Sequence, residues 1–257
     1  KLAYPFVVNE DGAAASDFRV ESDSNTHMLF VDAGNNAIGV NESSPSSYYY
    51  NDLVVNSGDE GGITIVDTSS GQSALAFGDS TSGAARYAGR VLYNHNTDTM
   101  EIGAGGNTYL KIDGNGHMTN ASQPAFNLIS GSTLTISANS NTGVTFDTER
   151  FDVNGDFAGN TFTAPVTGKY QLSSALYIMD IDTDMNYVQM EINTSNRTYY
   201  TAFSTAGFDA TMQYGNLTQA VVADMDANDT AVVKIYYNAG SSLRLDGSSF
   251  FSGALLA

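Results

Sequence analysis

The stretch Ser248-Ser249-Phe250-Phe251-Ser252-Gly253-Ala254-Leu255-Leu256-Ala257 decides the fold. In an extended chain Phe251, Gly253 and Leu255 point one way and Phe250, Ala254 and Leu256 the other, so neither face carries a charge. A strand of this kind belongs inside a sheet with both faces covered. One face is expected to line a sandwich core. The other needs a separate cover, and a neighbouring subunit is the simplest one, because chain ends otherwise fray. Phe250, Ala254 and Leu256 are therefore the expected subunit contact.

The rest of the sequence agrees with an all-β chain. Of 257 residues, 42% are hydrophobic and 15% charged. Gly, Ser, Thr and Asn are abundant, which favours short strands and tight turns over helices, whose surfaces would carry more Glu and Lys. No run approaches the length of a membrane-spanning helix. The absence of cysteine excludes disulfides, thiol nucleophiles and thiolate metal sites. Asp and Glu number 28 against 10 Lys and Arg, a net charge of −18 shared by both halves. Such a chain repels phosphate backbones and anionic lipid surfaces, so neither nucleic-acid binding nor membrane insertion is expected. Salt screens the repulsion, which suits an extracellular setting. The first residue is Lys1, and Lys1–Val8 is too short for a signal peptide, so the sequence reads as a processed product or part of something longer.

Two regimes meet near Met118–Gln123. Before it, short strands are expected at Asp17–Val20, His27–Asp32, Ala37–Val40, Gly62–Asp67, Ala74–Phe77, Gly89–Tyr93, Thr99–Ile102 and Tyr109–Asp113, separated by Ser-Gly, Gly-Gly and Asp-Gly-Asn-Gly turns. None has enough apolar surface for a core of its own. A string of such hairpins predicts a rod, residues 1–122, in which several chains wrap together. From residue 123 to 257 the strands lengthen: Phe126–Ile129, Thr133–Ser137, Gly143–Phe146, Thr161–Ala164, Lys169–Met179, Asn186–Ile192, Arg197–Phe203, Thr211–Met225, Thr230–Asn238 and Ser249–Leu256. Their number and spacing predict an antiparallel sandwich.

Three segments of the second half resemble complement-q-type globular heads, jelly-roll sandwiches related to tumour necrosis factor. They are Phe162-Thr163-Ala164-Pro165-Val166-Thr167-Gly168-Lys169-Tyr170-Gln171-Leu172, then Val221–Val233 with its Asn228-Asp229 turn, and Phe251-Ser252-Gly253-Ala254-Leu255-Leu256. The resemblance implies a compact homotrimer. The first half resembles the β-structured shafts of bacteriophage tail fibres, especially those of marine phages. The phrases concerned are Asp17–Ser22, His27–Asn36, Gly89–His95 and Leu110–Asp113 with the Gly-Asn-Gly that follows. His117-Met118 departs from the usual ending of that block.

Candidate chemistry is sparse. Asp180, Asp182 and Asp184 occupy alternate positions between two strands, a spacing that can coordinate calcium, although a solvated loop explains it equally. His27, His95 and His117 could gather about a three-fold axis; hydrogen-bonded shaft residues are the plainer reading. There is no Gly-x-Ser-x-Gly elbow and no histidine in the second half. Only Glu149 and Glu191 could supply glutamates for glycoside cleavage there. Tyr199, Tyr200 and Tyr214, near expected loops, are the candidates for receptor contact.

The sequence thus predicts a non-enzymatic, extracellular virion protein: an intertwined trimeric β shaft, then a jelly-roll knob that attaches a bacteriophage to a host surface protein or glycan. Other tail or baseplate proteins would hold its N-terminal end. No cofactor is expected, calcium excepted. The same sequence admits two alternatives. A decoration fibre or filament subunit would lack receptor binding, and in the filament version Leu2–Val8 would insert as a strand into a neighbour. A polysaccharide depolymerase is the third.

Overall fold

The computed structural model describes residues 13, 16–239 and 241–257. The Leu2–Val8 segment lies outside them. The chain divides into two compact units, Lys1–Ser73 and Ala74–Ala257. The expected boundary after Ser122 falls inside the second unit, between a five-stranded sheet and a sandwich. No helix among the described residues is long and apolar enough to cross a membrane.

In the first unit β1 (Phe18–Val20), β2 (Leu29–Asp32), β3 (Ala37–Val40) and β4 (Leu53–Val55) form one sheet, with β3 and β4 parallel. Ala37–Val40 falls on its expected residues, whereas β4 was not foreseen. Phe30, Ala37 and Val54 are its buried hydrophobic residues. The expected strand at Gly62–Asp67 does not form. Its alternation is real, but a strand needs a partner's backbone; Ile63 and Val66 are instead 71% and 83% exposed.

A second sheet, in the order β5 (Gln72–Phe77), β6 (Gly89–Asn94), β7 (Thr99–Ala104), β8 (Asn107–Ile112), β9 (Met118–Asn120), is a meander built from tight turns. Its strands bury only Leu92 and Glu101. Glu101 is satisfied by Thr108 at 2.8 Å and by Lys111 at 3.5 Å.

The sandwich begins at β10 (Ala125–Ile129) and continues through β11 (Leu134–Ile136), β12 (Thr142–Gly143), β13 (Thr148–Asp152), β14 (Phe157–Ala158), β15 (Thr161–Thr163), β16 (Gly168–Ile181), β17 (Tyr187–Thr194), β18 (Thr198–Ser204), β19 (Met212–Met225), β20 (Thr230–Tyr237), β21 (Leu243–Leu245) and β22 (Phe250–Leu255). The front sheet runs β13-β10-β22-β16-β19, with β21 and β11 taking over from β22 along the far part of β16. The back sheet runs β14-β15-β20-β17-β18, with β12 also against β20. Successive long strands β16, β17, β18, β19, β20 and β22 fall front, back, back, front, back, front. That alternation of antiparallel strands is the jelly-roll order.

Sequence alternation explains which side of each strand is inside. Tyr170, Leu172, Leu176 and Ile178 of β16 are fully buried, as are Val188, Met190 and Ile192 of β17. β22 lies between β10 and β16, pairing Gly253 with both Phe126 and Leu172. Phe251 packs edge-on to Phe126 at 5.1 Å, and Phe126 stacks on Phe162 at 4.6 Å. The faces of the last strand are as expected: Phe251 and Gly253 are buried and Leu255 packs against the core, while Phe250, Ala254 and Leu256 face out. Of the expected Gly143–Phe146 strand only Gly143 is extended in a ladder, as the second residue of β12, yet Val144 and Phe146 still enter the core.

A Cβ added to Gly253 would lie 2.6 Å from Phe126 Cε1 and 2.8 Å from Leu172 Cδ2. Gly253→Ala should therefore destabilise the sandwich by about 1–3 kcal/mol through overpacking. Phe251→Ala should cost about 3–5 kcal/mol through the cavity it leaves. Thermal or urea unfolding measures both, and a Gly253→Ala protein as stable as the parent would refute the close approach of β22 to β10.

Candidate functional site

Two sheet faces remain open on the sandwich, and their chemistry differs. The outer face of the front sheet follows directly from strand register. One row across it reads Ala125, Ala254, Gln171, Val222; the next Phe151, Asn127, Ser252, Ser173, Ala220; the next Ile129, Phe250, Ala175, Thr218. None of these side chains is charged, in a chain of net charge −18. Charges lie toward the ends of the central strand: Lys169 faces Asp224 at one, and Arg244 pairs with Asp180 at the other.

The side chains of this face are short, so it is flat. Ser173 and Ser252 share a hydrogen bond of 2.8 Å between their hydroxyls. Beside them is a shallow depression of about 220 Å³ lined by Ser173, Ala175, Thr218, Gln219, Ala220 and Phe250, among others. Leu256 is 55% exposed. A flat, uncharged surface with exposed apolar groups offers shape complementarity to another flat surface.

The outer face of the back sheet is polar and aromatic. Across β18, β17 and β20 the register places Tyr200 beside Glu191 and Glu191 beside Lys234, while Gln189 faces Ala202 and Tyr236 in the adjacent row. Glu191 is only 5% exposed although its strand position points outward. Its Oε1 accepts hydrogen bonds from Asn141 Nδ2 at 3.0 Å and Gln189 Nε2 at 3.1 Å. The rings of Tyr187 and Tyr236 lie 5.6 Å apart. Partial desolvation and the neighbouring Tyr236 push the Tyr187 phenol above its ordinary range.

The three tyrosines singled out from sequence do not share a surface. Tyr199 turns inward against the core opposite Ile192, whereas Tyr200 is exposed on the back face. Tyr214 is on the front face, stacked on Tyr177 at 5.6 Å. Adjacent residues of a strand point to opposite sides, which separates Tyr199 from Tyr200. Glu191, Gln189, Lys234 and Asn141 were not singled out as a group; the signal available was polar alternation on β17 and β20 beside Tyr187 and Tyr236.

The aspartates of the expected calcium loop are also separated. Asp180 has a positive φ of 61° and pairs with Arg244. Asp182 accepts from the backbone of Thr183 at 2.7 Å and from the Thr211 hydroxyl at 3.3 Å. Asp184 accepts from the backbone and hydroxyl of Ser241, at 3.1 and 3.0 Å. Each carboxylate thus closes a different loop contact. Among the described residues no group of three His, Cys, Asp or Glu is placed to hold a metal. Each histidine has a local partner: His27 packs on Phe30, His95 on Tyr93, and His117 pairs with Asp113.

The Arg244 hydrogen bond holds the Asp180 carboxyl below the usual aspartate range. A depressed folded value contributes stability that is present above the unfolded value, about 3.9, and lost as pH falls through the folded one. Arg244→Gln should therefore open a small stability gap at neutral pH that closes as the solution is acidified below about pH 4. A gap that persists unchanged into strong acid would show that the pair is not its source.

No family model and no curated protein matches the chain. Solved structures do. The globular domain of a zebrafish complement 1qA protein is 18% identical with a TM-score of 0.40, covering 52% of this chain and 98% of that one. The tumour necrosis factor Eiger from S. frugiperda is 16% identical with a TM-score of 0.42, over 53% and 94%. Murine APRIL is 17% identical with a TM-score of 0.40, over 52% and 99%.

Proposed function

We propose that this chain is a fibre protein of a bacteriophage virion, working outside the cell as a homotrimer whose jelly-roll knob attaches the particle to a host surface. The observation that carries the assembly reading is the uncharged outer face of the front sheet. Five strands expose three rows without a charge. Exposed apolar surface with an uncharged centre is the signature of an interface core. The shaft supports the same reading: Leu75 and Phe77 of β5 are more than half exposed, and Ile63 and Val66 have no strand partner. Single-layer sheets of this kind gain stability by packing against other chains.

The phage assignment rests on the shaft phrases quoted from the sequence. Residues 1–122 serve as the shaft and 123–257 as the knob in this reading, with other virion proteins at the N-terminal end. Binding is favoured over polysaccharide cleavage because the two knob glutamates lie on different sheets, Glu149 on β13 and Glu191 on β17.

Leu256→Asp places a charge on the outer face and should convert trimers to monomers that remain folded, while Leu255→Asp buries a charge against the core and should unfold the sandwich. Sedimentation and circular dichroism read both. A parent protein that is monomeric at micromolar concentration, or an open polymer by light scattering, would overturn the trimer. Purified protein should also compete with phage particles for host cells in an adsorption assay; adsorption unchanged at saturating protein would overturn attachment.

A further inference from the structure

We infer that the outer face of the back sheet is a binding site for neutral saccharides, centred on Glu191. Glu191 has only Oε1 occupied, by Asn141 and Gln189. Among the described residues Oε2 has no hydrogen-bond partner, and it retains contact with solvent. Lys234 lies directly across the strand, yet forms no ion pair with it. The carboxylate is thus held in place by two amides, with a strong acceptor left facing outward.

The surroundings identify the ligand class. Tyr200 flanks Glu191 in its own row, 61% exposed, and Tyr236 stands in the next row beside Gln189. Phenol rings supply an apolar face with a polar rim. Lys234 donates, the amides of Gln189 and Asn141 both donate and accept, and Oε2 accepts. A pyranose presents that mixture: hydroxyls that donate and accept around a ring with an apolar face. Net charge decides between neutral and acidic sugars. At −18 the chain repels anionic saccharides, and Glu191 would face a carboxylate or sulfate directly.

Space is available as well. Gly143 stands across the strand from Lys234, and a Cβ built on it meets nothing within 4 Å. The shelf is open rather than concave, so a single site should bind weakly, with dissociation constants near about 1 mM. Several copies on one knob would raise avidity without new contacts. The inference deepens the attachment reading and rests on it for its setting.

The test titrates the full chain with methyl glycosides of glucose, galactose, mannose and N-acetylglucosamine, and with neutral oligosaccharides of each, following ligand signals by saturation-transfer NMR. At least one should bind. Glu191→Gln, which keeps the shape and removes the charge, should weaken it about tenfold. Gly143→Gln fills open space without touching the core, and should weaken it to a similar degree at an unchanged melting temperature. Binding by none of these sugars overturns the inference, as does binding that survives both substitutions. Preference for a lysine-rich peptide over every sugar would make the shelf a cation site and also overturn it. Attachment fails separately: protein that binds a sugar at Glu191 but leaves adsorption unchanged sinks attachment alone, and protein that blocks adsorption while binding no sugar sinks the saccharide alone.

Discussion

The sandwich depends on the insertion of β22 between β10 and β16. Gly253 is a point of close approach in that insertion, because the Phe126 ring and the Leu172 side chain occupy the volume a side chain would need. Phe251, two residues earlier, then reaches the Phe126, Phe146 and Phe157 rings at 5.1 to 6.0 Å. Register fixes the rest. Once Gly253 faces Phe126 and Leu172, Phe250, Ser252 and Ala254 must face outward, and a slip of one residue would place Phe251 in water. The same pairing joins residues distant in sequence: Gln123 Nε2 bonds Leu255 O across 132 positions. Contacts of that separation form late and slowly.

A second set of bonds locks the ends of the long strands. The Tyr170 hydroxyl donates to the Val166 carbonyl at 2.7 Å, closing the turn before β16. The buried Tyr237 hydroxyl donates to the Ile136 carbonyl at 2.8 Å and accepts from the Leu243 amide at 2.9 Å. One side chain of the back sheet thereby ties β11 and β21 of the front sheet to β20. Phenols can do this because the ring fills core volume while the hydroxyl satisfies backbone groups that would otherwise be stranded.

Much of this was legible in the sequence, for a definite reason. Alternation sets which residues face a core, so β3, β16, β19, β20 and β22 and the two faces of Phe250–Leu256 could be read directly. Pairing partners could not. Gly62–Asp67 has the composition of a strand and remains unpaired, while Leu53–Val55, Thr148–Asp152 and Leu243–Leu245 are short segments that become strands only because a neighbour is there. Spatial grouping of side chains is harder to read than the fold. Tyr199 and Tyr200 are adjacent in sequence and opposite in space. Asp180, Asp182 and Asp184 look like one ligand set and close three separate contacts. Glu191 drew attention only as one of two glutamates, because nothing local says that an outward strand position is nearly covered. Its burial comes from Asn141 and neighbouring strands, brought together by β12 pairing with β20.

The two open faces divide the electrostatic problem of an acidic chain. Self-association of a molecule with charge −18 is opposed by its own field, and that opposition is smallest where the contact itself carries no charge. The front face meets that condition, with Lys169, Asp224, Arg244 and Asp180 set toward strand ends where opposite signs lie together. Lys234 and Glu191 sit instead on the back face, where they leave the front face free of the cost of desolvating charge. An uncharged face and a polar face are both consequences of the same alternation, read on opposite sheets of one sandwich.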